Sequence, residues 1–295
     1  MKNEYEQTLG GMFQMIYLAY DGSLHSDWVA RYAMNMATNI GVKELHILYV
    51  EDGKMSRSKF DEKLKALVDE VEQRNLEPFV SILPLKGNVS SSIINHLPQN
   101  SQCFLIAGAR SHGHLKGFLS GSIAEKLLIK NKSFSTIIFR VTRPGLLGVA
   151  KNILIPTAKN HLHLQQASSI LKGFAPGISE LRLLHIKKLF SLFFRNLSPK
   201  RAERFRKKSL QDLEEVSSFM KASLDLGDHQ IKTHAQLSNS LSKEVILFAN
   251  KWHSDLIFMG APDSYLNRHS FFGNLFEQIL RRSNCDVALY HTSDK

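Results

Sequence analysis

Short apolar runs bounded by turn residues alternate along the chain with segments whose apolar positions recur every three or four residues. The runs fall at 15–20, 45–50, 79–83, 104–107 and 136–141; the helix-period segments fall at 28–40, 60–74, 89–97 and 123–130, the first stopped by Gly41. Strands alternating with helices predict βαβ crossovers and a parallel sheet covered on both faces. The stretch 142–150, with one proline and two glycines, interrupts this rhythm as a linker would. The rhythm then restarts, with apolar runs at 153–156, 181–186, 231–237, 256–259 and 287–290.

The restart is a repeat. An offset of 152 pairs Gly108 with Gly260, Ala109 with Ala261, Gly121 with Gly273, Glu125 with Glu277 and Leu128 with Leu280, with no gap. Near the start of each half the offset falls to 137, which pairs Ala19 with Pro156, so the second copy carries about 15 extra residues after its second strand. The expected division is a first domain over 1–143, a linker over 144–150 and a second domain over 151–295.

Composition narrows the class. With 43% hydrophobic and 22% charged residues, the chain is neither disordered, collagen-like nor a coiled coil. Cys103 and Cys285 match no metal or redox spacing, which predicts buried structural thiols and a reducing compartment. The polar first residues resemble no signal peptide, and no apolar run approaches the ~20 residues of a membrane span, so the expected location is the cytoplasm. The net charge of +11 is the outlier, and a basic surface attracts polyanions. Much of it is local: from Lys187 to Lys208 the sequence holds nine basic residues and one acid, leaving +3 for the rest.

One stretch carries chemistry. The fourth strand of the first half ends at Gly108, a loop follows, and Gly121-Ser122 opens the helix 123–130. In a parallel α/β sheet, ligands sit beyond the carboxyl ends of the strands where the order reverses. Glycine lets backbone N–H groups approach an anion, and the helix N-terminus supplies unpaired donors and a positive dipole end. Ser122 adds a hydroxyl, and Arg110, His112, His114 and Lys116 in the loop supplement the positive field. At the same sheet edge the first strand ends in Ala19-Tyr20-Asp21-Gly22-Ser23, a carboxylate in a tight turn. The competing reading is that Gly108 and Gly121 serve only to turn the chain from strand to helix.

These residues resemble the universal stress protein family, whose nucleotide-binding members carry Gly-x2-Gly-x9-Gly-Ser/Thr after the fourth strand and an Asp at the end of the first. Here the loop reads Gly108-x2-Ser111-x9-Gly121-Ser122, with Ser111 where the pattern has glycine, and the first strand supplies Asp21. The second half reads Gly260-x2-Asp263-x9-Gly273-Asn274, with Ala158 in place of the strand-end Asp. The resemblance covers nearly the whole chain. It implies an α/β fold of two tandem doubly wound domains, each with a five-stranded parallel sheet, packed as an internal pseudo-dimer. It also implies an adenine-nucleotide site, for ATP or a relative with or without Mg, in the first half. Ala19, Tyr20, Asp21 and Val50 would face the nucleoside; Gly108, Arg110, Ser111, Gly121 and Ser122 would face the phosphates. No nucleotide is expected in the second half, where Asp263 would bring a carboxylate against them, at a cost of roughly 4 kcal/mol for like charges ~4 Å apart at an effective dielectric of ~20.

Enzymatic chemistry finds no support. The pairs His112/His114 and His161/His163 lack a third ligand at zinc-like spacing; Asp21, Ser23, His112 and Ser122 make a triad only on paper, without a Gly-x-Ser-x-Gly elbow; and a Walker lysine loop is absent. The expected role is regulatory nucleotide binding in a stress response. The alternative is a nucleotide-free scaffold that docks protein or anionic lipid through the basic insert, where Phe190, Phe193, Phe194 and Leu197 fall at helical spacing beside the charge. Nucleic acid is disfavoured for want of a recognised motif. A homodimer is left open.

Overall fold

A computed structural model describes residues 13–109, 122–130, 133–157, 162–189, 198–261 and 273–292. The first half runs β1 (Met15–Ala19), α1 (Leu24–Ile40), β2 (Glu44–Glu51), α2 (Arg57–Glu72), β3 (Glu77–Pro84), α3 (Val89–His96), β4 (Cys103–Gly108), α4 (Ile123–Lys130) and β5 (Ser135–Arg140). The second runs β6 (Asn152–Thr157), α5 (Leu162–Leu171), β7 (Glu180–Lys188), α6 (Pro199–Leu224), β8 (Ile231–Ser238), α7 (Leu241–Lys251), β9 (Leu256–Gly260), α8 (Gly273–Arg282) and β10 (Asp286–His291). All ten strands lie on the predicted apolar runs. Boundaries moved by a few residues in both directions: the helix expected over 60–74 runs Arg57–Glu72, and α1 starts at Leu24 because Ser23 caps it, its hydroxyl accepting from Ser26 N at 3.2 Å, in a first turn too polar to show periodicity.

The strands form one sheet in the order β3-β2-β1-β4-β5-β10-β9-β6-β7-β8. Each half contributes five parallel strands, and the two sets meet antiparallel at β5 and β10, where Ile138 faces Leu289. The strands of the two halves therefore run in opposite directions, and their carboxyl ends lie on opposite edges of the sheet. Among the described residues no helix is long and apolar enough to cross a membrane.

Two apolar layers cover the sheet, each continuous across both halves. On one face α1, α2, α5 and α6 bury residues such as Val29, Phe60, Ile170 and Leu213; on the other, α3, α4, α7 and α8 bury Ile93, Leu127, Phe248 and Ile279. Aromatic rings bridge the seam. Tyr32 stacks on Phe139 at 4.4 Å, Phe174 meets Tyr32 and Phe258 at 6.2 and 6.1 Å, and Phe258 stacks on Tyr290 at 4.5 Å.

Polar groups fasten the same seam. Asp286, fully buried at the start of β10, accepts from Tyr32 Oη at 2.7 Å, from Thr142 N and Oγ1 at 2.7 and 3.1 Å, and from Arg143 N at 2.9 Å. Burial and the facing carboxylate push the Tyr32 phenol well above the ordinary tyrosine range, which keeps it a donor. Asp255 in turn accepts from Lys151 N and Asn152 N at 3.1 and 2.9 Å. The connecting segment 142–150 is thus pinned to the sheet. It is also pressed against α1: at Gly148 (φ +77°) an added Cβ would lie 2.6 Å from the Arg31 carbonyl carbon and 2.7 Å from Tyr32 N. Backbone on both sides cannot yield, so Gly148→Ala is expected to lower unfolding free energy by about 2 kcal/mol in urea titration; an unchanged midpoint would show that this contact is looser than drawn.

Cys103 and Cys285 are both buried and unpaired with each other. Burial pushes each thiol up to about 12. At pH 8 the native thiolate fraction is then on the order of 10⁻⁴, so a thiol-exchange reagent should find neither group until the chain unfolds, when both react. The raised acid constants also set a direction for stability. The unfolded thiols ionise near pH 8.5 and the native ones cannot, so stability is full below that value and falls as pH rises toward 12. Tyr20, Tyr32 and Tyr290, raised chiefly by burial, extend the fall above pH 10. Urea midpoints at pH 7, 9 and 10.5 should decrease in that order.

Candidate functional site

The order β3-β2-β1-β4-β5 reverses between β1 and β4, and a crevice opens there at the carboxyl ends of the strands. It encloses a cavity of about 310 Å³, at the small end of ligand pockets. Six of the nine residues nominated from sequence line it: Ala19, Tyr20, Asp21, Val50, Gly108 and Ser122. Arg110, Ser111 and Gly121 lie outside the described residues, as do His112, His114 and Lys116.

Each lining residue is placed by its element. Val50, at the end of β2, joins Leu48, Ala107, Val89, Ile93 and Leu127 in an apolar wall. Asp21 is exposed, and its Oδ1 accepts from Ser23 N at 3.0 Å, holding the turn into α1. Gly22 stands at φ +71° beneath Met55, whose Sδ lies 2.8 Å from where a Cβ would be. Across the mouth Asp52 pairs with Lys54, and both line the cavity. Ser122, at 9% exposure, accepts from Glu125 N at 3.0 Å through its hydroxyl and from Lys126 N at 3.2 Å through its carbonyl. It thereby caps α4, whose first residues, Ile123 and Ala124, face the cavity.

Two of the nominated residues also have packing roles. Tyr20 is in the wall, but its hydroxyl donates to Asp27 Oδ1 at 2.5 Å, and Asp27 also pairs with Lys63 at 2.9 Å. Its phenol is part of the α1–α2 packing, and burial with the Asp27 hydrogen bond holds it protonated far above the usual range. Gly108 has a packing reason of its own, because a Cβ there would lie 3.0 Å from His25 Cδ2 and 3.3 Å from Val29 Cγ2. The glycine lets β4 pass beneath the first turn of α1. His25, Asp52, Lys54 and Met55 were not singled out from sequence. They sit in a helix's first turn and in the β2–α2 connection, which reach the crevice only through the crossovers.

The assembled site has three chemical sectors: an apolar slot for a planar ring, carboxylates of Asp21 and Asp52 that accept from hydroxyls, and the capped N-terminus of α4 suited to an anion. Among the described residues no group of three or more His, Cys, Asp or Glu could hold a metal ion. In the second half the corresponding loop, with Asp263, and Ala158 lie outside the described residues.

A tandem pair of doubly wound α/β units fused edge to edge, with a ligand-sized crevice at one switch point, is thus the class of protein that fold and site define. The chain belongs to the universal stress protein family, whose model matches residues 12–130 and again 151–291. Among solved structures, a universal stress protein from Archaeoglobus fulgidus DSM 4304 superposes with a TM-score of 0.60 at 18% identity, covering 96% of this chain and 98% of that one. A protein of unknown function from Pseudomonas aeruginosa PAO1 gives 0.58 at 15% identity, covering 96% and 94%. At such identities the likeness shows the fold. No curated protein matches the chain in sequence.

Proposed function

We propose that the first half binds an adenine nucleotide, ATP or a close relative, and that the protein is a nucleotide-responsive regulator within its stress-response family, not an enzyme. The observation that carries this reading is the cavity itself. One crevice brings an apolar slot at Val50, Val89 and Ile93, the Asp21 carboxylate and the Ser122-capped end of α4 within one ligand's reach. The base would lie in the slot, ribose hydroxyls would donate to Asp21, and the phosphates would meet the N–H groups at the start of α4. Arg110, Ser111 and Gly121 are assigned to the phosphates from the sequence spacing. The second half, with Asp263 and Ala158 at the corresponding positions, is proposed to bind none and to serve as the structural partner that shares both apolar layers. Calorimetric titration of the full chain with Mg-ATP, and with AMP, tests the proposal. One site per chain is expected; no heat at millimolar nucleotide would refute it, and two sites would refute the assignment of the second half.

A further inference from the structure

The extra residues of the second half have a defined place. The connection 189–198 is twice as long as its counterpart 52–56, and α6 has 26 residues against 16 in α2. The buried stripe of α6, Leu213, Val216, Met220 and Leu224, begins only at Ser209; the ten residues before it, of which only Ala202 and Phe205 are half-buried, form an exposed overhang beyond that stripe. That overhang is strongly cationic. Lys200, Arg201, Arg204, Lys207 and Lys208 recur at i, i+1, i+4, i+7 and i+8, and all five are exposed. They occupy the side of the helix away from the buried stripe, over a length of about 12 Å at 1.5 Å per residue.

Local physics works against this arrangement. Cations belong at a helix C-terminus, and here they crowd the N-terminus, whose first turn holds no acid and whose N-cap, Ser198, makes no side-chain bond. Among the described residues none of the five forms an ion pair, the bond of Lys221 to Asp228 lying at the far end of the helix. Lys187 extends the field from the end of β7, its Nζ 3.8 Å above the Phe205 ring. A nucleotide in the first-half cavity cannot be what the charge serves. The halves meet antiparallel, so the overhang, at the carboxyl end of β7, lies on the opposite edge of the sheet from the cavity.

We propose that this overhang docks the protein on an anionic lipid surface. A row of five exposed cations on one convex helix face can meet a planar sheet of headgroups together, whereas a nucleic-acid strand is gripped by a groove that tracks its backbone. Docking there leaves the nucleotide crevice, on the far edge, open to solvent. The test is flotation of the full chain with vesicles of 70% phosphatidylcholine and 30% phosphatidylglycerol, and with phosphatidylcholine alone, in 0.1 M and 0.5 M salt. Each engaged cation contributes about fivefold to partitioning, so the quintuple change Lys200→Gln, Arg201→Gln, Arg204→Gln, Lys207→Gln and Lys208→Gln should reduce it at least about thirtyfold. A control with Lys43, Lys59, Lys65, Lys86 and Lys151 each changed to Gln loses the same charge elsewhere and should still float. Flotation that fails for the wild type, persists in 0.5 M salt, occurs equally on neutral vesicles or is lost equally in the control would overturn the proposal. So would retention on a DNA duplex or an acidic peptide without flotation, which would assign the face to that partner instead.

Discussion

Replacing Asp286 by alanine is expected to destabilise the whole chain by about 4 kcal/mol, a fall in Tm of about 10 °C. The residue is fully buried and its carboxylate answers four donors, one of them the Tyr32 hydroxyl on α1 and the others from Thr142 and Arg143 at the end of β5. Its removal strands the buried Tyr32 hydroxyl and takes the acceptor from the half-buried N–H and O–H groups of Thr142 and Arg143. It also deprives the half-buried Arg140 guanidinium of a nearby opposite charge. The change Asp286→Asn separates hydrogen bonding from charge. Its amide oxygen can keep the bonds to Thr142 and Arg143, while its NH2 group donates to Tyr32, so it should cost less than half as much. Because the seam joins the halves, both variants should unfold in one transition; two separated transitions in Asp286→Ala would mean that the bond network, and not the shared apolar layers, makes the halves cooperative.

The change Ser122→Asp should strongly weaken nucleotide binding while leaving the fold intact. Aspartate caps a helix as well as serine does, so α4 keeps its first bond. The new carboxylate stands at the place assigned to the phosphates, where like charges ~4 Å apart at an effective dielectric of ~20 repel by about 4 kcal/mol. Affinity should fall by two to three orders of magnitude with Tm unchanged. Undiminished binding would place the ligand elsewhere.

Much of the fold was legible because strands buried on both faces are short apolar runs, and Phe104 to Ala107 or Leu256 to Met259 admit little else. The edge-to-edge junction was not. Nothing in Ser135 to Arg140 tells that this strand pairs with β10 rather than with water, and Asp286 looks like any surface acid until Tyr32, 254 residues away, is folded against it. The insert was legible as charge but not as form. Six of its cations, Lys200 to Lys208, belong to an extension of α6, a helix whose own apolar stripe starts only at Ser209, and Lys187 and Lys188 end β7; Arg195 and the phenylalanine stripe at 190–197 lie outside the described residues. At the site, local motifs located Asp21, Gly108 and Ser122. His25, Lys54 and Met55 were missed because their place in the wall depends on how α1 and the β2–α2 connection return over the sheet. Tyr20 lines the crevice from the end of β1, and its phenol is held by Asp27, a bond that its sequence position does not announce.

The most direct test of the central claim is a crystal structure of the full chain grown with Mg-ATP. Nucleotide density is expected in the first half only, with the base against Val50 and the phosphates at the start of α4 beside Ser122. Nucleotide bound in the second half, or anywhere other than between β1 and β4 of the first, would contradict it.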